Sequence, residues 1–261
     1  GHFIEGSLES ELSGNVIDVC PVGALTSRPF RFKARAWELQ QHATVAPHDS
    51  VGSNLYVHTR NGRVMRVVPR ENEEINEVWL SDRDRFSYQG LNSPDRLQQP
   101  LVKRDGAWRE VDWEQALELA ANGLREAAAA GAEQLAGLLA PSATLEELYL
   151  AQRVLRGLGS GNLDHRLRQA DFRGDAADPA FAWLGLPIAE LERLDSALLI
   201  GANPRKEQPL LGHRLRKAAL AGAEIGYLNP LPLELNYRAR QLVLAPAAML
   251  TALAGIAKAL G

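Results

Sequence analysis

At 261 residues the chain has length for one large domain or two smaller ones, with ample material to bury a core. Its 46% apolar and 23% charged residues, with a net charge of −3, form an ordinary globular balance that offers no basic excess to nucleic acid and no acidic tail. No run of about 18 uncharged apolar residues is present to span a membrane, and a single cysteine excludes an internal disulfide framework and fits a reducing compartment.

The opening GHFIEGSLESELSG is polar, with no apolar signal-peptide core. It lacks Met, and Gly1-His2 reads as a cloning scar, so the expectation is a piece of a longer chain. Residues 1–35 show weak periodicity and hold the dense stretch VIDVCPVGALTSRPFRFKAR. Residues 36–96 are mixed and polar. Within them YVHTRNGRVMRVV reads as two strands turning at Asn61-Gly62, a strong hairpin signal. NEEINEVWLSDRDRF follows as a short helix or turn, and NSPDRLQQPLV as a breaker-rich connector.

From residue 97 to 261 helices and strands alternate. Asp112 caps a helix with Trp113, Leu117, Ala120 and Leu124 on one face. LAGLLA (135–140) reads as a buried strand. Thr144 and Glu147 make a capping box for a helix lined by Leu145, Leu148, Ala151 and Leu155. SALLIGA (196–202) is another buried strand with NPRKEQP as its loop. A helix over about 208–221 carries Leu211 and Leu215 and is closed by Gly222. AEIGYLN and QLVLA are further strands, and AAMLTALAGIAKAL is a final helix. The expected fold class is α/β: a small hairpin domain, then a Rossmann-like layered parallel sheet.

One spacing carries the chemistry. Ala46, Asp49, Ser53 and Ser81 stand where cysteines would make C-x2-C-x3-C-x27-C, a ligand set able to surround a [4Fe–4S] cube. Iron in such a cluster takes thiolates. Alanine has no donor, serine must lose a far less acidic proton, and Asp49 alone cannot hold four irons. The four positions therefore read as vacated, and the hairpin as a domain that only packs, with the loop 46–53 as its most mobile part. Leu55, Val57, Val78, Trp79 and Phe86 are its expected apolar contacts. A replacement metal site on His42 and His48 is the weaker alternative.

With these residues in view, the chain resembles the small iron–sulfur domain that opens molybdopterin-dependent oxidoreductases such as formate dehydrogenase. TRNGRVMRVVPRENEEINEVWLSDRDRFSYQGLNSPDRL is still more similar to the large peripheral-arm iron–sulfur subunit of NADH:quinone oxidoreductase (respiratory complex I), the G subunit of the bacterial complex. The resemblance implies three segments: residues 1–35 as the tail of an upstream cluster region, 36–96 as a 4Fe-4S domain without its ligands, and 97–261 as the first part of a degenerate molybdopterin oxidoreductase-like α/β domain. It implies that Cys20, in Cys-Pro-Val-Gly-Ala-Leu, is the last ligand of a [4Fe–4S] cluster whose other three cysteines lie upstream. It implies electron transfer from NADH toward quinone in the parent, other peripheral-arm subunits as partners, and a peripheral place on the cytoplasmic side of the bacterial inner membrane. The fragment itself is expected to be catalytically silent, with no cofactor of its own.

Two further segments bear on a pterin cofactor. Gly201 with Arg205 and Lys206 follows a strand where doubly wound sheets bind ligands, so these residues are candidates for phosphate, against the alternative of a tight turn with solvated charges. In GNLDHRLRQADF (161–172), the resemblance puts Ala170 and Asp171 where formate dehydrogenases carry the molybdenum ligand and a catalytic histidine. Alanine binds no metal, so neither molybdenum nor pterin is expected. A fragment of a true molybdopterin oxidoreductase remains the second reading, and a self-standing interaction module the third. GLGSG (157–161) follows a helix and not a strand, so it is no dinucleotide fingerprint. His213, on the 208–221 helix, reads as a structural or surface residue.

Overall fold

The computed structural model describes residues 7–166, 173–174, 176–177, 181 and 183–260. Ala170 and Asp171 lie outside the described residues. The chain forms two compact units, one of residues 1–91 with 183–261 and the other of residues 92–182.

In the first unit a short helix α1 (Val16–Val19) leads to Cys20. Strands β1 (Gln40–Val45), β2 (Asn54–Arg60) and β3 (Arg63–Pro69) form an antiparallel sheet in that order. Asn61 and Gly62 both take positive φ, 50° and 71°, and join Arg60 to its partner Arg63. A two-residue turn of this hand follows the strand twist, which is why Asn-Gly marks the hairpin. β1 is exposed along its whole length. It is a polar edge strand (QQHATV), and its lack of apolar alternation hid it in the sequence. The sheet packs Leu55, Val67 and Val57 against Ala46, Leu80 and Tyr88. Val78, expected in this core, is exposed, because the turn over 72–79 directs it outward. Asn76 closes that turn. Fully buried, it accepts from Asn54 N at 2.8 Å and donates to the carbonyls of Arg70 and Trp79, each at 3.1 Å. Helix α2 (Asp82–Phe86) follows.

The second unit holds the hairpin β4 (Leu101–Arg104) and β5 (Ala107–Glu110), turning at Asp105-Gly106. Helix α3 (Trp113–Ala130) starts at Asp112, whose carboxylate accepts from Gln115 N at 2.8 Å. Its apolar face differs from expectation: Trp113 and Leu117 are exposed, as no layer of this unit covers them. The strand expected over 135–140 shrinks to β6 (Gly137–Leu138), paired in parallel with β7 (Leu163–Asp164); Leu135 is buried and Leu138 is exposed. A partner of two residues supports a ladder of no more than two. Helix α4 (Leu145–Gly157) has the expected capping box, with Thr144 and Glu147 exchanging bonds of 2.8 and 3.2 Å.

The first unit resumes with β8 (Ser196–Ile200), α5 (Pro204–Glu207), α6 (Pro209–Ala221), β9 (Glu224–Asn229), β10 (Arg240–Val243) and α7 (Pro246–Leu260). The three strands are parallel, in the order β10-β9-β8. Gly222 ends α6 in the left-handed region, with φ 112°. Leu215 of α6 packs on Ile225 and Tyr227 with Ala197 and Leu199 alongside. β8 is not the fully buried strand that its composition suggests. Leu198 and Ile200 point to its other face and are exposed, so only one side of the strand is covered.

Candidate functional site

The four positions lie on the loop 46–53 and at the start of α2. Ala46 is buried in the hairpin core, its methyl group joining Leu55, Val67 and Leu80. Its N–H donates to Ser53 O at 2.8 Å, which closes the loop between them. Asp49 accepts from Val51 N and from Arg83 Nη2, both at 3.0 Å. Burial pushes the Asp49 carboxyl up and the nearby Asp84 charge adds to this, while Val51 N and Arg83 oppose them. Ser81 is the N-cap of α2: its Oγ accepts from Asp84 N at 3.1 Å and donates to Asp84 Oδ2 at 2.7 Å. His48 Nδ1 meets the other oxygen, Asp84 Oδ1, at 2.8 Å. Ser53 and Ser81 are fully buried, and Ser53 Oγ has no hydrogen-bond partner among the described residues.

The structure thus brings the loop 46–53 and the start of α2 together through His48–Asp84 and Asp49–Arg83. The loop expected to be loose is tied down at both ends and in its middle. These residues do not fit an iron–sulfur cluster. A methyl group, two serine hydroxyls and a carboxylate already paired with arginine supply no thiolate. His42 lies on β1, exposed, bonded to Thr59 Oγ1 at 3.0 Å. No group of three metal-binding side chains occurs among the described residues.

Cys20 is different. It ends α1 with extended backbone (φ −77°, ψ 103°) and is half-buried. Backbone N–H groups of the following turn, that of Leu25 first and then those of Val22, Ala24 and Gly23, hold its pKa below the usual thiol range against a smaller opposing effect of burial. Positive φ at Gly23 bends the chain for this. A turn lined with N–H dipoles stabilises a thiolate, so Cys20 fits one corner of a cluster.

The segment before Cys20 is gripped by α2. Asp82 N donates to Glu11 O at 2.8 Å, and Gly14 N donates to Asp82 Oδ1 at 2.6 Å. Ser13 Oγ donates to Asp82 Oδ2. Asn15 is buried and bridges Leu80 O and Leu80 N at 2.8 and 3.0 Å. Arg85 donates to Asn15 Oδ1 at 3.0 Å and forms an ion pair with Asp18.

Arg205 and Lys206, the candidate phosphate ligands, are engaged in the protein. Both pair with Glu11, and Arg205 also donates to the carbonyls of Glu9 and Glu234 at 2.9 and 2.8 Å. Burial alone would raise the Glu11 pKa, but Lys206 and then Arg205 outweigh it and hold the carboxyl below its usual range. His213 faces Trp79 edge-on with centroids 6.1 Å apart and meets Glu77 at 3.4 Å. It is half-buried between these two side chains. Beside it Arg214, 4% exposed, donates to Glu77 Oε1 at 2.8 Å, to Glu73 O at 2.6 Å and to Glu192. Sequence reasoning missed Asp84, Asn15, Arg85, Arg214 and Glu192, and named His48 only as a possible metal ligand beside His42, where it instead bonds Asp84. Only Asp84 had a local signal, the S-x-x-D pattern of a capped helix start at Ser81.

By fold, the chain matches a solved structure, acetylene hydratase from Pelobacter acetylenicus, at TM-score 0.50 and 16% identity, over 72% of this chain and 27% of that one. The chain belongs to the molybdopterin oxidoreductase family, whose model matches residues 96–261. Residues 39–89 match the NADH-ubiquinone oxidoreductase NDSU1/NuoG-like 4Fe-4S domain, and residues 1–26 the ferredoxin-like domain of NADH-quinone oxidoreductase subunit 3. Among curated relatives, the G subunit of NADH-quinone oxidoreductase from Rickettsia conorii is 41% identical over 228 residues, 86% of this chain and 33% of that protein. The NADH-ubiquinone oxidoreductase 75 kDa subunit of Reclinomonas americana is 38% identical over 84% of this chain and 33% of its own length. The mitochondrial NADH dehydrogenase [ubiquinone] iron-sulfur protein 1 of Solanum tuberosum is 39% identical over 88% of this chain and 31% of its own. The chain thus spans about a third of the relatives it matches.

Proposed function

We propose that the chain is a middle portion of a G-type subunit of NADH:quinone oxidoreductase, whose parent carries electrons from NADH toward quinone and scaffolds the peripheral arm. The observation that carries this reading is Cys20, half-buried at the end of α1 with Gly23 N donating to its carbonyl at 3.3 Å, within Cys-Pro-Val-Gly-Ala-Leu. A [4Fe–4S] cluster held there, with three upstream cysteines, supplies one-electron transfer. The chain's own part is to present the Cys20 sulfur as thiolate and to fix its turn.

Residues 36–96 act as architecture in this reading. Their ligand positions have been absorbed into core, cap and ion pair. Residues 97–261 are read as the first part of a degenerate molybdopterin-type domain, with β8, β9 and β10 belonging to a Rossmann-like layered sheet. No pterin or molybdenum is expected to bind, because Arg205 and Lys206 already pair with Glu11. Alone, the chain is expected to be catalytically silent. Its partners are other peripheral-arm subunits, with no nucleic acid, and its place is peripheral, on the cytoplasmic side of the bacterial inner membrane. No helix among the described residues is long and apolar enough to cross a membrane. Kinship with the G subunits of complex I favours this reading over a fragment of a formate dehydrogenase-like enzyme.

The test is Cys20→Ser in the full-length protein, read by electron paramagnetic resonance of the reduced clusters and by iron content. One [4Fe–4S] signal should vanish while the others persist. A spectrum identical to that of the unmodified protein overturns the assignment.

A further inference from the structure

We propose that helix α2 is kept as the mount that sets the position of Cys20, with Asp82 and Arg85 as its positioning residues. The inference rests on the reading of Cys20 as a cluster ligand and adds what holds that ligand in place.

The geometry is specific. α2 begins at the last vacated position, Ser81, and its side chains divide between two tasks. Arg83 and Asp84 turn to the loop 46–53. Asp82 and Arg85 turn to the segment 11–18 that leads into Cys20. Asp82 uses both carboxylate oxygens and its own N–H on this segment, through Ser13, Gly14 and Glu11. A carboxylate accepting from a backbone N–H makes a strong bond with a fixed direction. Arg85, 4% exposed, reaches Asn15 and Asp18, which stands two residues before Cys20. Asn15 in turn satisfies both backbone groups of Leu80.

The fit at Gly14 is tight. A Cβ placed there would come within 2.7 Å of Arg85 Cδ and 2.8 Å of Asp82 Oδ1. Only glycine allows the backbone so close to both side chains. The crevice left between Ile17, Asp18, Val67 and Arg85 holds about 30 Å³, roughly one water. Glu11 is clamped from its other side by Arg205 and Lys206. The arm bearing Cys20 is thus fixed by two elements of the same compact unit. A domain that has lost its own metal ligands still provides the rigid support that a ligand for another centre needs.

The experiment uses the full chain with Asp82→Asn, Arg85→Met and Gly14→Ala, and Glu77→Gln as a control that weakens the same unit elsewhere. Two quantities are read: amide hydrogen exchange of residues 15–19, the bonded turn and helix leading to Cys20, against 55–68, and the mobility of a nitroxide attached to Cys20. Each mount variant should speed exchange at 15–19 by about tenfold or more and sharpen the nitroxide spectrum, leaving 55–68 within about threefold. Glu77→Gln should leave 15–19 and the nitroxide unchanged. Asp82→Asn is the mildest change and keeps the test alive if Arg85→Met fails to fold. Unchanged exchange at 15–19 in Asp82→Asn and Gly14→Ala overturns the proposal, as does an equal effect in Glu77→Gln. Both readouts need no bound cluster, so they report on the mount even if Cys20→Ser leaves the cluster signals of the full-length protein intact.

Discussion

Arg214→Met should cost the first unit about 3 kcal/mol, the lower end of what breaking a buried ion pair from one side costs. Met fills most of the space, so the loss is chiefly electrostatic. Arg214 serves Glu77, Glu192 and the carbonyls of Glu73 and Ile75, of which Ile75 O is 3.2 Å away. Removing it leaves two carboxylates facing a single cation, Lys217, which already pairs with both. Bonds to charged partners contribute about 1.5–3 kcal/mol each, and Lys217 compensates part of the loss, hence the lower end. The assay is amide exchange at Glu77 and Trp79, whose N–H groups bond Asn72 O at 2.7 Å and Asn76 O at 2.9 Å. A loss of 3 kcal/mol is a roughly 150-fold rise in opening. Combining the change with Glu77→Gln should be less than additive, since both remove the same pair. A rise below about fivefold would match an exposed salt bridge. It would refute the claim that this cluster fastens α6 to the 72–79 turn.

The same cluster predicts a pH dependence. Burial opposes ionisation of Glu77, but Lys217, Glu192 and Arg214 carry its pKa from 4.5 down to about 2. A depressed carboxyl contributes stability above its unfolded pKa, lost as pH falls from about 4.5 toward 2. Urea titrations should show on the order of 2 kcal/mol more acid loss over that window in the unmodified chain than in Glu77→Gln. Asn76→Ala should cost about 2–3 kcal/mol in the same titration at pH 7, because it strands a buried N–H and several carbonyls. Asp49→Asn should be neutral or stabilise by up to about 1 kcal/mol in thermal melting at neutral pH. Its folded pKa is raised, so the ionised form costs stability above the unfolded value, and the gain should vanish in acid.

What the sequence made legible was local. The Asn61-Gly62 turn, the Asp112 and Thr144 caps and the Gly222 stop each rest on residues within a few positions of one another, and each stands where the pattern put it. Asp105-Gly106 carries a similar hairpin signal, just beyond the connector, that the sequence reading did not use. Burial was harder to foresee. Apolar runs such as LAGLLA and SALLI mark strands, but whether one face or both are covered depends on layers elsewhere in the chain. The partners of the candidate site were the least legible. Arg205 pairs with Glu11 across 194 positions, and nothing local separates such an arginine from one free to hold phosphate.

The vacated positions show the same division. The spacing reads Ala46, Asp49, Ser53 and Ser81 as cluster positions without thiolates, because donor chemistry is a property of the residue. It did not show the bonds that hold the loop, because these depend on contacts with α2. A thiolate quartet would tie the loop to α2 through iron. Here the work is divided: a methyl group enters the core, one hydroxyl caps α2, and two acid groups reach across to Arg83 and His48. Ser53 Oγ has no hydrogen-bond partner among the described residues, and its contribution is the carbonyl that accepts from Ala46. Each replacement is weak beside a metal bond, but none requires the remaining three to be present. The domain can therefore persist without a cluster, and the α2 it keeps in place is the element that grips the arm of Cys20.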